Sequence, residues 1–258
     1  MTKFKKKRLR IFAGPNGSGK STLAENLRKK YPIGVFVNAD EIEKKLKLRD
    51  SLSLYKYKLN STTDTLREYL LKFGMSQKIL QNPNLHKKFK IIKNNIQYSG
   101  EYNSYIAADI SGFIRNQLIL KGKDFSFETV FSHFSKLEII KNAKSNGYRV
   151  YFYFLTTDDP DINVNRVNIR VAQNGHPVPE EKIRKRYYKS LDLMYDAVKL
   201  STRAYLFDNS GEYYKMVAQI DYGKKVQTFV KSIPNWFIEY LYNKVNKPTT
   251  IKSDTQQW

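Results

Sequence analysis

The chain is 258 residues long, with 41% hydrophobic and 27% charged residues, enough for one large domain or two small ones and too apolar for wholesale disorder. It has no cysteine, which excludes disulfides, thiolate metal sites and cysteine nucleophiles, and three histidines leave little for a multi-histidine metal centre. Lys and Arg outnumber Asp and Glu by 46 to 24, and this net +22 suits a polyanionic partner or, equally, reflects a Lys- and Asn-rich composition spread over the surface.

The basic N-terminus, with its dense run Lys5-Lys6-Lys7-Arg8-Leu9-Arg10, is followed by too few apolar residues before Gly14 for a secretory signal. No stretch approaches the roughly 18 consecutive apolar residues of a membrane span, so no membrane partner is expected and a cytoplasmic protein is the default. Arg8–Ala13 reads as a short strand, followed by a glycine-rich loop, a helix from about Lys20 to Lys30, and a second strand at Val35–Asn38. From about Lys45 to Tyr102 the chain turns rich in Lys, Asn, Tyr and Ser with no strong strand signal. Thr62-Thr63-Asp64 ahead of Leu66, Tyr69, Leu70 and Phe73 predicts a capped amphipathic helix, and Pro83 breaks a second helical stretch. This region reads as a mainly helical insertion.

Strands resume at Phe125–Phe131 and at Arg149–Thr156, the latter β-branched and aromatic as in a strand covered on both faces. Pro160–Ser201 reads as two helices joined by Gly175-His176-Pro177-Val178-Pro179. Pro179 opens the second, Glu180 and Glu181 face its positive end, and Ile183, Tyr187, Leu191, Met194 and Val198 line its apolar stripe. Ala204–Phe207 and Met216–Ile220 complete the strands, and the tail beyond Lys247 reads as frayed. Helices between strands predict an α/β class with a largely parallel sheet. The expected organisation is a single domain over 1–258, with the insertion at 45–102 and a lid-like helical pair at 160–201.

Gly14-Pro15-Asn16-Gly17-Ser18-Gly19-Lys20-Ser21-Thr22 matches the G-x-x-x-x-G-K-[ST] phosphate-binding loop, placed between a strand and a helix as that loop requires. Its glycines let backbone N–H groups turn toward phosphate oxygens, Lys20 reaches the β- and γ-phosphates of a nucleoside triphosphate, and the Ser21 hydroxyl ligates Mg²⁺. Asp40, in Asn38-Ala39-Asp40-Glu41-Ile42, sits at the carboxyl end of the second strand, where a carboxylate either takes a proton from an attacking hydroxyl or holds Mg²⁺ through water. A helix N-cap is the alternative for Asp40. Glu128 interrupts an apolar strand, and a charge there is expensive unless paired or at a site. Arg166, Arg170, Arg184 and Arg186 are candidates for neutralising the γ-phosphate, against the alternative of solvated basic helix faces. Asn209 reads either as an adenine contact or as a plain turn residue. His176 reads as a turn residue rather than a general base, while His86 and His133 carry no signal. Thr156-Thr157-Asp158-Asp159, closing an apolar strand, leaves room for a hydrolysing ATPase.

In sequence order, GPNGSGKST, NADEI, FSFETVFS, RVAQNGHPVPEEKIRKRYYKSL and YLFDNSG resemble the zeta-toxin family of P-loop kinases, over about residues 8–44 and 103–245. The stand-alone bacterial relatives are the nearer likeness. The resemblance implies a kinase-type fold with a five-stranded parallel core and an ATP- and Mg²⁺-dependent kinase, whose better-known family members phosphorylate the 3′-hydroxyl of UDP-N-acetylglucosamine. By position it implies ATP binding by Gly14, Asn16, Gly17, Ser18, Gly19, Lys20, Ser21 and Thr22, and makes Asp40 the catalytic base. It sets Glu128 and Thr129 on the substrate strand and Arg170 and Arg184 in the lid. The implied partners are ATP, an anionic hydroxyl-bearing acceptor and an antitoxin protein. A kinase acting on a nucleic-acid end or another nucleotide, and a nucleotide-binding ATPase without transfer, are the alternatives. Ala39, Asn174 and the insertion depart from the family pattern.

Overall fold

Alternation along each strand decides which face of the sheet meets which helices. In the computed structural model, which describes residues 6–173, 175 and 177–246, strand β1 (Arg8–Ala13) turns Leu9, Ile11 and Ala13 to one face and Phe12 to the other. All four side chains are buried. Strand β7 (Arg149–Thr156) does the same with Val150, Phe152 and Phe154 against Leu155. Helix α1 (Lys20–Lys30) covers the Phe12 face through Leu23 and Ala24. The other face carries the larger core and takes α2 (Ala39–Arg49), α5 (Ser104–Leu120), α6 (Ser135–Ser145) and α8 (Glu180–Leu200).

Five strands run parallel, in the order β2 (Val35–Val37), β6 (Phe125–Thr129), β1, β7 and β8 (Arg203–Asp208). The strand at Met216–Ile220 is present as β9 (Lys215–Asp221), but it runs antiparallel beside β8 and is followed by β10 (Lys225–Thr228), which the sequence reading omits. Parallel neighbours need a crossover of a dozen or more residues, whereas six residues separate β8 from β9, so only an antiparallel hairpin fits. The register sets Phe127 beside both Ile11 and Val37, which brings Asn38, Glu128 and the start of the glycine loop out together at the carboxyl edge.

The region 45–102 has more helix than strand but is built around a sheet the sequence reading did not anticipate. Strands β3 (Ser51–Ser53), β4 (Phe89–Ile92) and β5 (Asn95–Tyr98) pair antiparallel in the order β3-β5-β4. The predicted capped helix is there as α3 (Thr63–Phe73), with the Thr62 hydroxyl accepting from the Thr65 amide, and Leu66 and Leu70 buried. A four-residue helix α4 (Ser76–Ile79) ends before Pro83. Leu52, Leu54, Leu66, Leu70, Phe89 and Ile96 belong to the same continuous buried cluster as Ile11 and Phe127. The insertion therefore shares the main core rather than capping it.

The helical pair is α7 (Pro160–Ala172) and α8, with Ile183, Tyr187, Leu191, Met194 and Val198 all buried as the stripe predicts. Pro179 precedes the first helical residue by one position. The readings of Asn174 and His176, the first residues of the basic run up to Lys5, and the tail beyond Lys247 lie outside the described residues. Among the described residues no helix is long and apolar enough to cross a membrane.

Candidate functional site

The glycine loop leaves the end of the central strand β1 and closes into α1. Two positions show why glycine is required. A Cβ on Gly14 would lie 1.9 Å from the Leu155 carbonyl oxygen, and Gly19, at φ 94°, would press one to 2.6 Å from the Asn209 amide nitrogen. Gly19 is the N-cap of α1 and no side chain caps that end, which leaves first-turn amides and the positive end of the helix for an anion.

Two asparagines brace the loop. Asn209 Nδ2 donates to the Ser18 carbonyl at 2.8 Å, so this residue supports the loop backbone from the β8–β9 turn. Asn163, fully buried on α7, donates from Nδ2 to the Asn16 carbonyl at 2.6 Å and bonds Thr157 Oγ1 through its other amide atom. Sequence reasoning missed Asn163, although a polar residue beside the buried Val164 and Val167 on α7 was a legible signal. Arg166 is also structural: its Nη1 and Nη2 donate to the Asn209 and Gly211 carbonyls at 2.7 and 3.0 Å.

Lys20 is 7% exposed and donates to the Pro15 carbonyl at 2.7 Å. Burial, the largest influence, pushes its ammonium below the ordinary lysine value; the Glu128 and Asp40 carboxylates oppose this, and the Arg170 and Arg186 guanidiniums reinforce it. Two expected carboxylates and two of the four candidate arginines thus share one electrostatic neighbourhood with the loop lysine. Arg186 reaches the loop itself, its Nη1 donating to Asn16 Oδ1 at 3.4 Å. Burial lowers the Arg186 pKa while Asp40 and Tyr105 oppose.

Arg184 does not join them. It pairs with Asp161 and with Glu180, the latter at 2.8 Å, and these carboxylates hold its pKa above the ordinary arginine value. Two residues along a helix turns a side chain by roughly 200°, so Arg184 and Arg186 cannot both face the loop. The structure selects Arg186.

Asp40 lies exposed in the first turn of α2, and the cap role is taken by Asn38, whose Oδ1 accepts from the Asp40 and Glu41 amides at 2.9 and 3.2 Å. The capping alternative for Asp40 therefore fails. Asn38 also donates from Nδ2 to Glu128 at 3.2 Å, and Ser21 Oγ donates to the two Glu128 oxygens at 2.9 and 3.1 Å. Glu128 thus stands at the Ser21 end of the loop. A cleft opens beside this pair between α1 and the edge strand β2, lined by Arg28, Phe36, Asn38 and Glu41. Thr129 shapes the following turn, its Oγ1 accepting from the Phe131 amide at 3.3 Å. Thr22 is exposed on the first turn of α1.

Ser21 and Glu128 are hard oxygen donors of the type Mg²⁺ prefers, and that ion is held by one or two protein groups plus substrate phosphates. No group of three or more His, Asp or Glu that could hold a metal occurs among the described residues. The Asp158-Asp159 pair serves the turn instead of the loop: Asp159 Oδ1 caps α7 through the Asp161 amide at 2.7 Å, and the Asp158 amide donates to Ser210 Oγ.

The zeta toxin family matches residues 84–217, beginning inside the insertion, running through β6 and the α7–α8 pair and ending within β9. An uncharacterized protein of Haemophilus influenzae is 32% identical over 63 residues, 24% of this chain and 45% of that one, so the chain covers less than half of that relative. A chain from the PezAT chromosomal toxin-antitoxin system of Streptococcus pneumoniae superposes with a TM-score of 0.54 at 14% identity, over 92% of this chain and 79% of that one. The AvrRxo1-ORF1:AvrRxo1-ORF2 complex with sulphate ions gives 0.50 at 13%, over 87% and 61%. Such low identities show the fold alone. Together with the family match over more than half its length, they make this a chain of P-loop kinase-like fold that belongs to the zeta toxin family.

Proposed function

We propose that the protein is an ATP-dependent phosphotransferase that moves the γ-phosphoryl group to a hydroxyl of an anionic small molecule, a nucleotide-sugar such as UDP-N-acetylglucosamine being the first candidate. The observation that carries this reading is that Glu128 bonds Ser21 of the loop and Arg186 reaches Asn16 of the loop, while both, with Asp40 and Arg170, act electrostatically on Lys20. A hydrolase needs only to position water, whereas an exposed carboxylate relieved of capping duty, beside the phosphate lysine, is placed to take a proton from an acceptor hydroxyl.

In this reading the loop amides and Lys20 hold the β- and γ-phosphates, and Arg170 and Arg186 neutralise charge on the γ-phosphoryl oxygens. Asp40 accepts the hydroxyl proton as the acceptor oxygen bonds to the γ-phosphorus, the bond to the β–γ bridging oxygen breaks, and ADP leaves with that electron pair. Ser21, with Glu128 beside it, holds the Mg²⁺, which when bound supplies further charge neutralisation at the phosphates.

Incubation with ATP, Mg²⁺ and a panel of nucleotide-sugars, with mass detection of one added phosphate, tests the assignment. Phosphorylation of one class names the acceptor, and ATP turnover without a phosphorylated product would replace transfer by hydrolysis. The likeness to a PezAT chain also supports an antitoxin partner, testable by co-purification with the product of a neighbouring gene.

A further inference from the structure

The sheet face that carries α5 holds a second group of cations, away from the glycine loop. Arg115, on α5, is 8% exposed and lays its guanidinium 4.9 Å from the centroid of the Phe127 ring. Nη1 donates to Ser111 Oγ one turn earlier, while Nε has no hydrogen-bond partner and Nη2 makes no hydrogen bond among the described residues. The unused Nε–Nη2 edge is one with which an arginine grips a carboxylate or phosphate bidentately.

The carboxylate that could neutralise it is already engaged. Asp109 accepts from the Met75 and Ser76 amides at 2.9 and 3.0 Å, and from Ser76 Oγ. Lys136, in the first turn of α6, adds a second positive charge and makes no ion pair among the described residues. Burial first, then Arg115, push its ammonium down to about 8, with Asp109 opposing. Tyr69 of the insertion meets the same spot: a Cβ on Gly112 would lie 2.5 Å from Tyr69 Oη and 3.7 Å from Arg115 Nη2. A buried cation without a counter-ion is costly. Two cations within electrostatic reach of each other and of one occupied carboxylate form an arrangement that an oxyanion completes.

We infer that Arg115 and Lys136, with the Ser111 and Tyr69 hydroxyls beside them, form an oxyanion-binding site, and that its occupant is the anionic end of the acceptor whose hydroxyl meets Asp40. The occupant rests on the phosphotransferase reading; the site does not. Asp40 lies on α2, which packs against α5, and Tyr105 at the start of α5 is within electrostatic reach of Arg186, as Asp40 is. Arg115 comes ten residues after Tyr105 on α5, about 15 Å along the axis, and its side chain leans back toward the helix start. The acceptor then carries its phosphate or carboxylate on the order of 10 Å from the hydroxyl that is phosphorylated.

Inorganic phosphate is the probe, measured by thermal unfolding against sodium chloride of equal ionic strength. The host is the full chain carrying Lys20→Ala, so that the loop lysine does not compete. The midpoint should rise by roughly 3 °C at about ten times the dissociation constant. Adding Lys136→Met should abolish that rise and leave the phosphate-free midpoint equal or higher, because repulsion from Arg115 is gone. Arg115→Met should do the same; if it fails to fold, Lys136→Met decides alone. No rise in the host, or a rise that survives Lys136→Met, overturns the site. In the otherwise wild-type chain, Lys136→Met should raise KM for the acceptor at least tenfold without changing KM for ATP. An unchanged acceptor KM, with the phosphate effect lost, removes the acceptor from the site. Absence of transfer by the wild type overturns occupant and transferase reading together and leaves the phosphate result standing.

Discussion

Lys20 and Arg115 are both buried cations, and they are treated in opposite ways. Around Lys20 two carboxylates offset part of the desolvation, a loop carbonyl accepts its hydrogen bond, and three asparagines order the surroundings. Around Arg115 there is a ring face, two hydroxyls, a second cation and a carboxylate engaged with α4. The first centre is balanced to act on charge that moves. The second is left unbalanced, as a site that waits for a fixed negative charge would be. Removing a cation should therefore harm function at the first centre and relieve the free protein at the second.

The sharpest test of that contrast is Lys20→Ala. Removing a charge aimed at a transferring phosphoryl group costs about 3–4 kcal/mol or more in the transition state, so single-turnover transfer should fall by at least about a hundredfold while the unfolding midpoint barely moves. Asp40→Asn comes next. An amide keeps the shape but cannot take a proton, so transfer should fall by roughly 10²–10⁴ while equilibrium titration shows ATP affinity intact. Collapse of ATP affinity instead would make Asp40 a metal or nucleotide residue.

The lid arginines separate at a smaller scale. Arg186→Ala should lower kcat by about tenfold or more, because it removes a guanidinium from the loop. Arg184→Ala should act less, by loosening the ion pairs that tie the start of α8 to α7. Equal effects from the two would contradict the geometry. The smallest effect is one of pH on stability. Lys136 has its folded pKa lowered to about 8 from 10.5, so between those values the unfolded chain binds more protons and the wild type gains stability as pH rises. The excess stability expected of Lys136→Met should therefore be largest below about pH 8 and shrink toward pH 10, by at most about 1.4 kcal/mol per pH unit. Chemical denaturation of both proteins at pH 7, 8, 9 and 10 measures it.

Where local chemistry dictates structure, the sequence was readable to the residue. The helix after the glycine loop spans Lys20–Lys30 and the aromatic strand Arg149–Thr156, both as expected. The hidden part was the β4–β5 hairpin. Its two-residue turn is Lys93-Asn94, with φ of 48° and 60°, where Asn-Gly is the usual signal. Asn94 tolerates that conformation and is pinned by donating to the Leu59 carbonyl at 2.9 Å, a contact no pattern along the chain reveals. Short strands in a Lys- and Asn-rich stretch then complete the disguise. At the site, the motif exposed the loop and Asp40, but which arginine turns inward depended on how α8 lies against α7. Arg115 was invisible for a related reason: only the fold shows that Asp109, six residues earlier, is engaged elsewhere.

The bracing of α7 restricts how the molecule can move. Its first half is fastened at Asn163 to the glycine loop, at Arg166 to the β8–β9 turn, at Asp161 to Arg184, and at Val164 and Val167 to Ile183. A swing of the whole helix about its base would break all of these at once. A closure over nucleotide, as the proposed function would have it, is therefore left to the stretch after Val167, the last turn that bears Arg170. Under the proposed function, the part of the pair free to bend is its tip, with the base as the fixed end of a cantilever. Because Asn163 bonds the loop backbone directly, any shift of the Asn16 carbonyl on filling with phosphate is felt at the root of that cantilever before it reaches the arginine.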